Sequence, residues 1–373
     1  MKPNEQRLVD TFLQLVKVDS ETKYESEISE VLKEKFQSLG VEVKEDNAKE
    51  VTGHGANNLI CTLKGTKEGV DTIYFTSHMD TVVPGKGIKP QIENGYIKSD
   101  GTTILGADDK AGLAAMFEAL EVIKEEGIEH GTVEFIITVG EESGLVGAKA
   151  LDPSMITAKF GYALDSDGKV GDIIVGAPTQ AKVQATIYGK TAHAGVAPEK
   201  GVSAITIASK AISKMPLGRI DEETTANIGR FEGGTQTNIV CDQVHILAEA
   251  RSLVSEKMEA QVEKMKKAFE EAAEEMGGRA EVEVTVMYPN FKFKDGDHVV
   301  EVAKKAVDRI GRTSRLLHSG GGSDANVIAG HGIPTVNLAV GYEDIHTTNE
   351  KMPIEELIKT SELVLALIQE VSC

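Results

Sequence analysis

Apolar and polar positions along the first half of the chain fall into two alternating rhythms. Short apolar runs at "NNLICTLKG", "DTIYFTSHMD", "GTVEFIITVGEE" and "FGYALDSDG" are the length of buried strands. Between them lie stretches of helical period, "EISEVLKEKFQSLG" and "DKAGLAAMFEALEVIKEEG", the first ending at Gly40 where a helix expects its terminal glycine. Strands alternating with helices of this length predict an α/β sheet covered on both faces. From about 179 the order changes to strand "TQAKVQATIYG", helix "SAITIASKAISKM", strands "TTANIGRFEGG" and "VHILAEARSL", helix "EKMEAQVEKMKKAFEEAAEEMG" and strand "AEVEVTVMYP". That is β-α-β-β-α-β, the split pattern of a ferredoxin-like domain. Met258, Val262, Met265, Phe269 and Met276 recur at helical spacing in its second helix, as a core stripe does. After 290 the first grammar resumes with helix "HVVEVAKKAVDRIG", a Gly-rich turn, helix "DANVIAGHG", strand "PTVNLAVG" and a C-terminal helix from about Ile354. The expected organisation is one α/β domain, 1–178 and 291–373, interrupted by an inserted domain at 179–290. A hinge between two such lobes is a usual place for a substrate cleft.

Charge and composition narrow the partners. The chain of 373 residues has 40 Lys+Arg against 59 Asp+Glu, a formal charge of −19, with no Trp and 5% aromatic residues. Such a surface repels phosphate backbones and anionic lipid, so neither nucleic acid nor membrane is an expected partner. The N-terminus "MKPNEQRLVDTFLQLVKVDS" reads as an amphipathic helix without a signal-peptide core, and no apolar run is long enough to span a bilayer. Cys61, Cys241 and Cys373 are scattered and odd in number, which suits free thiols in a reducing, cytoplasmic compartment.

Chemistry gathers where the predicted strands end. "TSHMDTV" places His78 and Asp80 on one strand face, although an H-x-D pair is also an ordinary strand-edge contact. "GADDKAG" puts Asp108 and Asp109 before a helix, where one Asp serves as an N-cap and a second is not needed for it. "TVGEESG" closes an apolar strand with Glu141 and Glu142, which on a strand face opposite ways. "YALDSDG" offers Asp165, with Asp167 as a rival, and "GYEDIHTTNE" offers His346. His78, Asp108, Glu142, Asp165 and His346 are two imidazoles and three carboxylates at the ends of one sheet, where ligands of open α/β sheets bind. The mixed N/O set suits Zn²⁺, with Co²⁺ or Mn²⁺ feasible. Five ligands exceed one open tetrahedral site and fit two metals roughly 3.5–4 Å apart sharing a carboxylate. "SGGGSDAN", containing Ser323 and opening a helix, reads as a cradle for a substrate carboxylate.

The motifs "SHMDTVVPG", "LGADDKAG", "GEESGLVGA", "ALDSDG", "KTAHAG" and "GYEDIHTTNE" follow an order that resembles the zinc-dependent exopeptidase superfamily of peptidase T, succinyl-diaminopimelate desuccinylase, glutamate carboxypeptidases and aminoacylases. "SDGTTILGADDKAG" is most similar to the peptidase T branch. The resemblance implies a three-layer catalytic domain, an inserted ferredoxin-like lid and a homodimer formed through it. It implies that His78 and Asp165 hold one zinc, Glu142 and His346 the other, and Asp108 both, with a cis peptide to Asp109. Asp80 would orient His78. Glu141 would be the general base that takes a proton from the attacking water and passes it to the leaving amine. His193, in "KTAHAG", would donate to the oxyanion, often across a dimer interface. Asn238 and Arg251 would contact substrate. The implied activity is hydrolysis of short peptides, tripeptide aminopeptidase-like, with N-acyl amino acid hydrolysis as the alternative on the same scaffold.

Other signals carry less. "GKT" at 189–191 lacks the upstream glycine of a phosphate loop, and neither H-E-x-x-H nor G-x-S-x-G occurs. His54, His130, His245, His298, His318 and His331 have no ligand-like companions and read as surface or turn histidines, with His318 near the cleft.

Overall fold

A computed structural model describes residues 2–372; Cys373, one of the three expected free thiols, lies outside them. In chain order the first elements are α1 (Glu5–Val16), α2 (Ser26–Ser38), β1 (Glu42–Glu45), β2 (Leu59–Leu63), β3 (Ile73–His78), α3 (Ala107–Glu126), β4 (Val133–Thr138), β5 (Phe160–Ser166) and β6 (Asp172–Ala177). Next come β7 (Thr179–Tyr188), α4 (Ala204–Lys214), β8 (Thr224–Gly233), β9 (Gln243–Ser252), α5 (Ser255–Glu275) and β10 (Arg279–Tyr288). The chain closes with α6 (His298–Arg309), β11 (Arg315–His318), α7 (Asp324–Gly330), β12 (Thr335–Ala339) and α8 (Ile354–Ser372). Two compact units result. Of the described residues, one holds 2–176, Phe293–His318 and 323–372, and the other holds Ala177–Lys292 with Ser319–Gly322.

In the first unit the sheet runs β1-β2-β4-β3-β5-β12-β6, with β11 beside β6. Its centre is parallel: β3 pairs with β4 from Ile73↔Val133 to His78↔Thr138, and β3 with β5 from Ile73↔Phe160. β12 also runs parallel to β5, while β2 lies antiparallel to β4. Every residue of β3 and β4 is buried, as a sheet with two covered faces requires. Ile73, Phe75, Val133, Phe135 and Ile137 enter the large core with α1, α2, α3, α6 and α8. Tyr74 and Ile136 point the other way, to a smaller core with Ile60, Leu151 and Ile328. There Gly161 is obligatory, because a Cβ would stand 2.1 Å from the Tyr74 ring. Helix α3 is buried at nearly every position from Ala107 to Leu120, which explains a sequence apolar on most sides. A small sheet of Gln91–Glu93, Tyr96–Lys98 and Lys351–Pro353 completes the unit.

The second unit has strand order β8-β9-β7-β10, every neighbouring pair antiparallel. That is the ferredoxin-like arrangement, with α4 and α5 packed on one face. Met258, Val262, Met265 and Phe269 are buried in its core and Met276 packs against it. No helix among the described residues is long and apolar enough to cross a membrane.

Candidate metal centre and catalytic site

Parallel strands bring their carboxyl ends to one edge, and the candidate ligands leave the sheet there. His78 is the last residue of β3, Asp165 lies near the end of β5, and Glu142 follows β4 by a short turn. Asp108 enters from the start of α3, where Asp108 and Asp109 are non-helical and joined by a cis peptide bond. The two aspartates divide the work. Asp109 takes the cap, its Oδ1 accepting from Gly112 N at 3.3 Å and its other oxygen from the Ser77 hydroxyl, which leaves Asp108 free to face the pocket.

The Asp108 carboxylate reaches two imidazoles at once. Its Oδ1 lies 2.9 Å from Nε2 of His78 and its Oδ2 lies 3.2 Å from Nε2 of His346. Asp165 Oδ1 is 3.8 Å from the same His78 nitrogen, and Glu142 Oε1 is 3.0 Å from the His346 nitrogen. Two ligand triads follow, His78–Asp108–Asp165 and Asp108–Glu142–His346, each with donor atoms within 4.8 Å of one another and Asp108 common to both. A third group of the same tightness is His78–Glu141–Glu142. Asp167, the rival of Asp165, is exposed and belongs to none of the three.

The electrostatics show what the cluster lacks. Burial pushes the Asp165 and Glu141 carboxyls well above the usual range, and the charges of Asp108 and Asp165 respectively push them further. Burial also raises Glu142, against its hydrogen bond with His346. His346 is raised to about 10 by Asp108 and Glu142. Burial alone would lower His78, but its bonds to Asp108 and Asp80 outweigh that and hold it well above its ordinary value. The pocket is short of positive charge, and protons fill the deficit. A divalent cation is the natural substitute, since imidazole nitrogen and carboxylate oxygen are its preferred donors. The residues therefore fit a metal.

Residues 74–370 match the family model "Peptidase family M20/M25/M40". The chain belongs to this peptidase family. An uncharacterized Bacillus subtilis protein, YqjE, is 80% identical over 367 residues, covering 98% of this chain and 99% of the relative. The crystal structure of aminopeptidase PepT from Bacillus cereus is 77% identical and superposes with a TM-score of 0.97 over 100% of both chains. A tripeptidase from Staphylococcus aureus is 55% identical, with a TM-score of 0.98 over 100% of both chains.

Around the candidate ligands of this M20-family chain, several groups hold side chains in place. Asp80 lies beyond the end of β3, yet its side chain still meets His78, with Oδ1 3.4 Å from Nδ1. The closer partner of Nδ1 is the Asp80 main-chain oxygen at 3.0 Å. The Asp80 carboxylate also accepts from Glu141 N at 3.1 Å and Glu142 N at 3.3 Å, so one carboxylate orients His78 and fixes the turn carrying Glu141 and Glu142. Glu141 and Glu142 are not on a strand, as the sequence reading had them. β4 stops at Thr138, and the turn separates them instead. Glu350 is buried and accepts from the amides of Leu105, Gly106 and Asp108 at 2.7, 2.8 and 3.1 Å. Asn337 grips the Asp165 backbone from both sides, and the Tyr342 hydroxyl donates to Asp165 Oδ1 at 3.2 Å. Neither Glu350, Asn337 nor Tyr342 was assigned a role from sequence. Asn337 carried a usable signal, a polar side chain inside an apolar strand that must find a buried partner.

His193, Asn238 and Arg251 belong to the second unit. His193 is exposed, and its Nδ1 accepts from Gly195 N at 3.1 Å and Val196 N at 3.2 Å. With Nδ1 accepting, Nε2 is the ring's donor in the neutral tautomer. Asn238 lies beside it, its main-chain carbonyl accepting from Ala194 N at 2.9 Å. Arg251 and Ser323, expected at the substrate, both have partners within the protein. Arg251 already holds a carboxylate, since its Nε and Nη2 grip the two oxygens of Glu249 at 2.9 and 3.1 Å and its Nη1 donates to Gly320 O. Ser323 is the N-cap of α7, tied into a capping box with Asn326, and the acidic Asp324 opens the turn. A helix start closed by its own cap and headed by a carboxylate offers an anion few free donors. His54 and His130 also depart from expectation, because both are buried.

Proposed function

We propose that this M20-family chain is a dinuclear metalloaminopeptidase acting on short peptides, with two zinc ions as its native metals. The observation that carries this is the Asp108 carboxylate, whose two oxygens address the Nε2 atoms of two different imidazoles. His78 and Asp165 would hold one ion, Glu142 and His346 the second, and Asp108 both. Bound there, the cations would polarise the scissile carbonyl and make the attacking water more acidic. Glu141 takes a proton from that water and delivers it to the leaving amine. The Nε2–H of His193 donates to the oxyanion. The names of the Bacillus cereus aminopeptidase and the Staphylococcus aureus tripeptidase support an amino-terminal cut on peptides of a few residues. Cys61 and Cys241 are free thiols, in keeping with a cytoplasmic setting.

Metal-loaded protein offered di- and tripeptides beside N-acyl amino acids should cleave the free peptides, with the new amine read by chromatography. Turnover of the acyl compounds alone would transfer the chain to the deacylase reading.

The second unit would serve as lid and dimer contact, with His193 acting on the partner's site. Mixing inactive Glu141→Ala and His193→Ala chains should then restore up to about a quarter of the parent activity, since half of the dimers are mixed and one site in each pairs an intact base with an intact donor. No recovery after verified subunit exchange would place His193 in its own chain's site.

A further inference from the structure

The turn Gly140–Ser143 carries both Glu141 and Glu142, so its rigidity sets where the base and a ligand stand. On one side the Asp80 carboxylate holds the two central amides. The other side is held by a residue with no place in the chemistry above, His54.

His54 is 6% exposed. Its Nε2 lies 2.8 Å from the Ser143 hydroxyl, which is also 3.0 Å from the Thr22 hydroxyl and 3.3 Å from the Gly140 carbonyl. Its Nδ1 faces the Thr52 carbonyl at 3.4 Å, which places the ring proton on Nδ1 and leaves Nε2 to accept from Ser143. The imidazole also lies against the Gly140 backbone. A Cβ on Gly140 would come within 2.6 Å of ring atoms Cδ2 and Nε2, and its φ of +57° suits glycine in any case. One side chain thus touches the turn at both ends, Gly140 by contact and Ser143 by hydrogen bond, with the two glutamates between.

We propose that His54, acting through Ser143, is a positioning residue that fixes the Glu141–Glu142 turn against the reaction centre. The assignment rests on Glu141 being the general base. It does not depend on the ring changing protonation. A base displaced by a fraction of an ångström loses its alignment with the attacking water while substrate contacts elsewhere are unchanged. The signature is a fall in kcat with KM retained.

Three variants test it in the full chain: His54→Leu, which keeps bulk and loses the hydrogen bond; His54→Gln, whose amide reaches the Nε2 position; and Ser143→Ala. Hydrogen exchange of the peptide segment spanning 140–146 should speed up by about 10-fold or more in His54→Leu and Ser143→Ala, and stay near the parent rate in His54→Gln. In the same two variants kcat should fall roughly 10- to 100-fold with KM and bound metal near the parent values. The double variant His54→Leu/Ser143→Ala should be no worse than either single, because both break one contact. Unchanged exchange in that segment, or unchanged kcat, overturns the proposal, and so does an equal loss in His54→Gln. Should His54→Leu fail to fold, Ser143→Ala, altered at an exposed position, decides on its own. A parent chain that cleaves no peptide defeats the assigned function, and the exchange result still decides the clamp.

Discussion

Replacing Glu141 by alanine should remove turnover while leaving metal content near that of the parent chain. General acid–base catalysis by a placed side chain is worth about 10²–10⁴ in rate, or roughly 3–5 kcal/mol of barrier. The backbone at this position is fixed independently of the side chain, through the bond from Glu141 N to Asp80. Truncation therefore deletes a carboxylate without dragging Glu142 away. It also removes one of several carboxyls that burial and Asp165 force upward, so the metal-free variant should melt no lower than the parent. The third triad, His78–Glu141–Glu142, supplies the competing view that Glu141 is a ligand. Metal analysis separates the two: loss of an ion equivalent alongside activity makes Glu141 a ligand, and full metal with no turnover makes it the base. Full activity in Glu141→Ala would refute both roles. Glu141→Gln, which preserves shape and loses basicity, should behave as the alanine variant does.

Much of the architecture was readable because burial writes itself into periodicity. β3 and β4 are covered on both faces and appear as short, largely apolar runs, while α5 shows its core stripe at helical spacing. The small sheet of Gln91–Glu93, Tyr96–Lys98 and Lys351–Pro353 left no such trace, since its first strand is exposed throughout. At the site, the candidate ligands stood out because most of them follow an apolar run with a polar side chain that a strand end does not need. Their supports were hidden for a different reason. Glu350 serves Asp108 across 242 positions of sequence, and nothing local to either residue announces the other. Arg251 is the opposite case. Glu249 lies two positions away on the same strand face, and the pair in "AEARS" was there to be read as an internal ion pair.

Replacing Asp108 by asparagine should cost the protein its metal-induced stabilisation. An ion that binds only the folded chain stabilises it by about 2.7 kcal/mol at a free concentration 100-fold above Kd, and metal added to the parent apoprotein should raise its melting temperature accordingly. Asparagine keeps the size and the two-atom reach of the side chain, but it offers one neutral oxygen and an NH₂ donor where the carboxylate offers two charged acceptors. The NH₂ has to point at either the His78 or the His346 nitrogen, both of which now face one carboxylate oxygen. At least one site then loses a ligand. Melting temperature alone would mislead here, since the metal-free chains also differ. In the parent, His346 and His78 overcome burial and hold the Asp108 carboxyl below its usual range. That attraction is present at pH 7 and is lost only as pH falls through the lowered value. The variant lacks it and should melt lower even without metal. The diagnostic quantity is the increment, the melting temperature with metal minus that after chelation, taken beside ion equivalents per chain. The expected result is two equivalents and a rise of several degrees in the parent, against one or none and a much smaller rise in Asp108→Asn. An unchanged increment with both equivalents retained would mean that Asp108 holds neither ion, and the shared-carboxylate site would have to be abandoned.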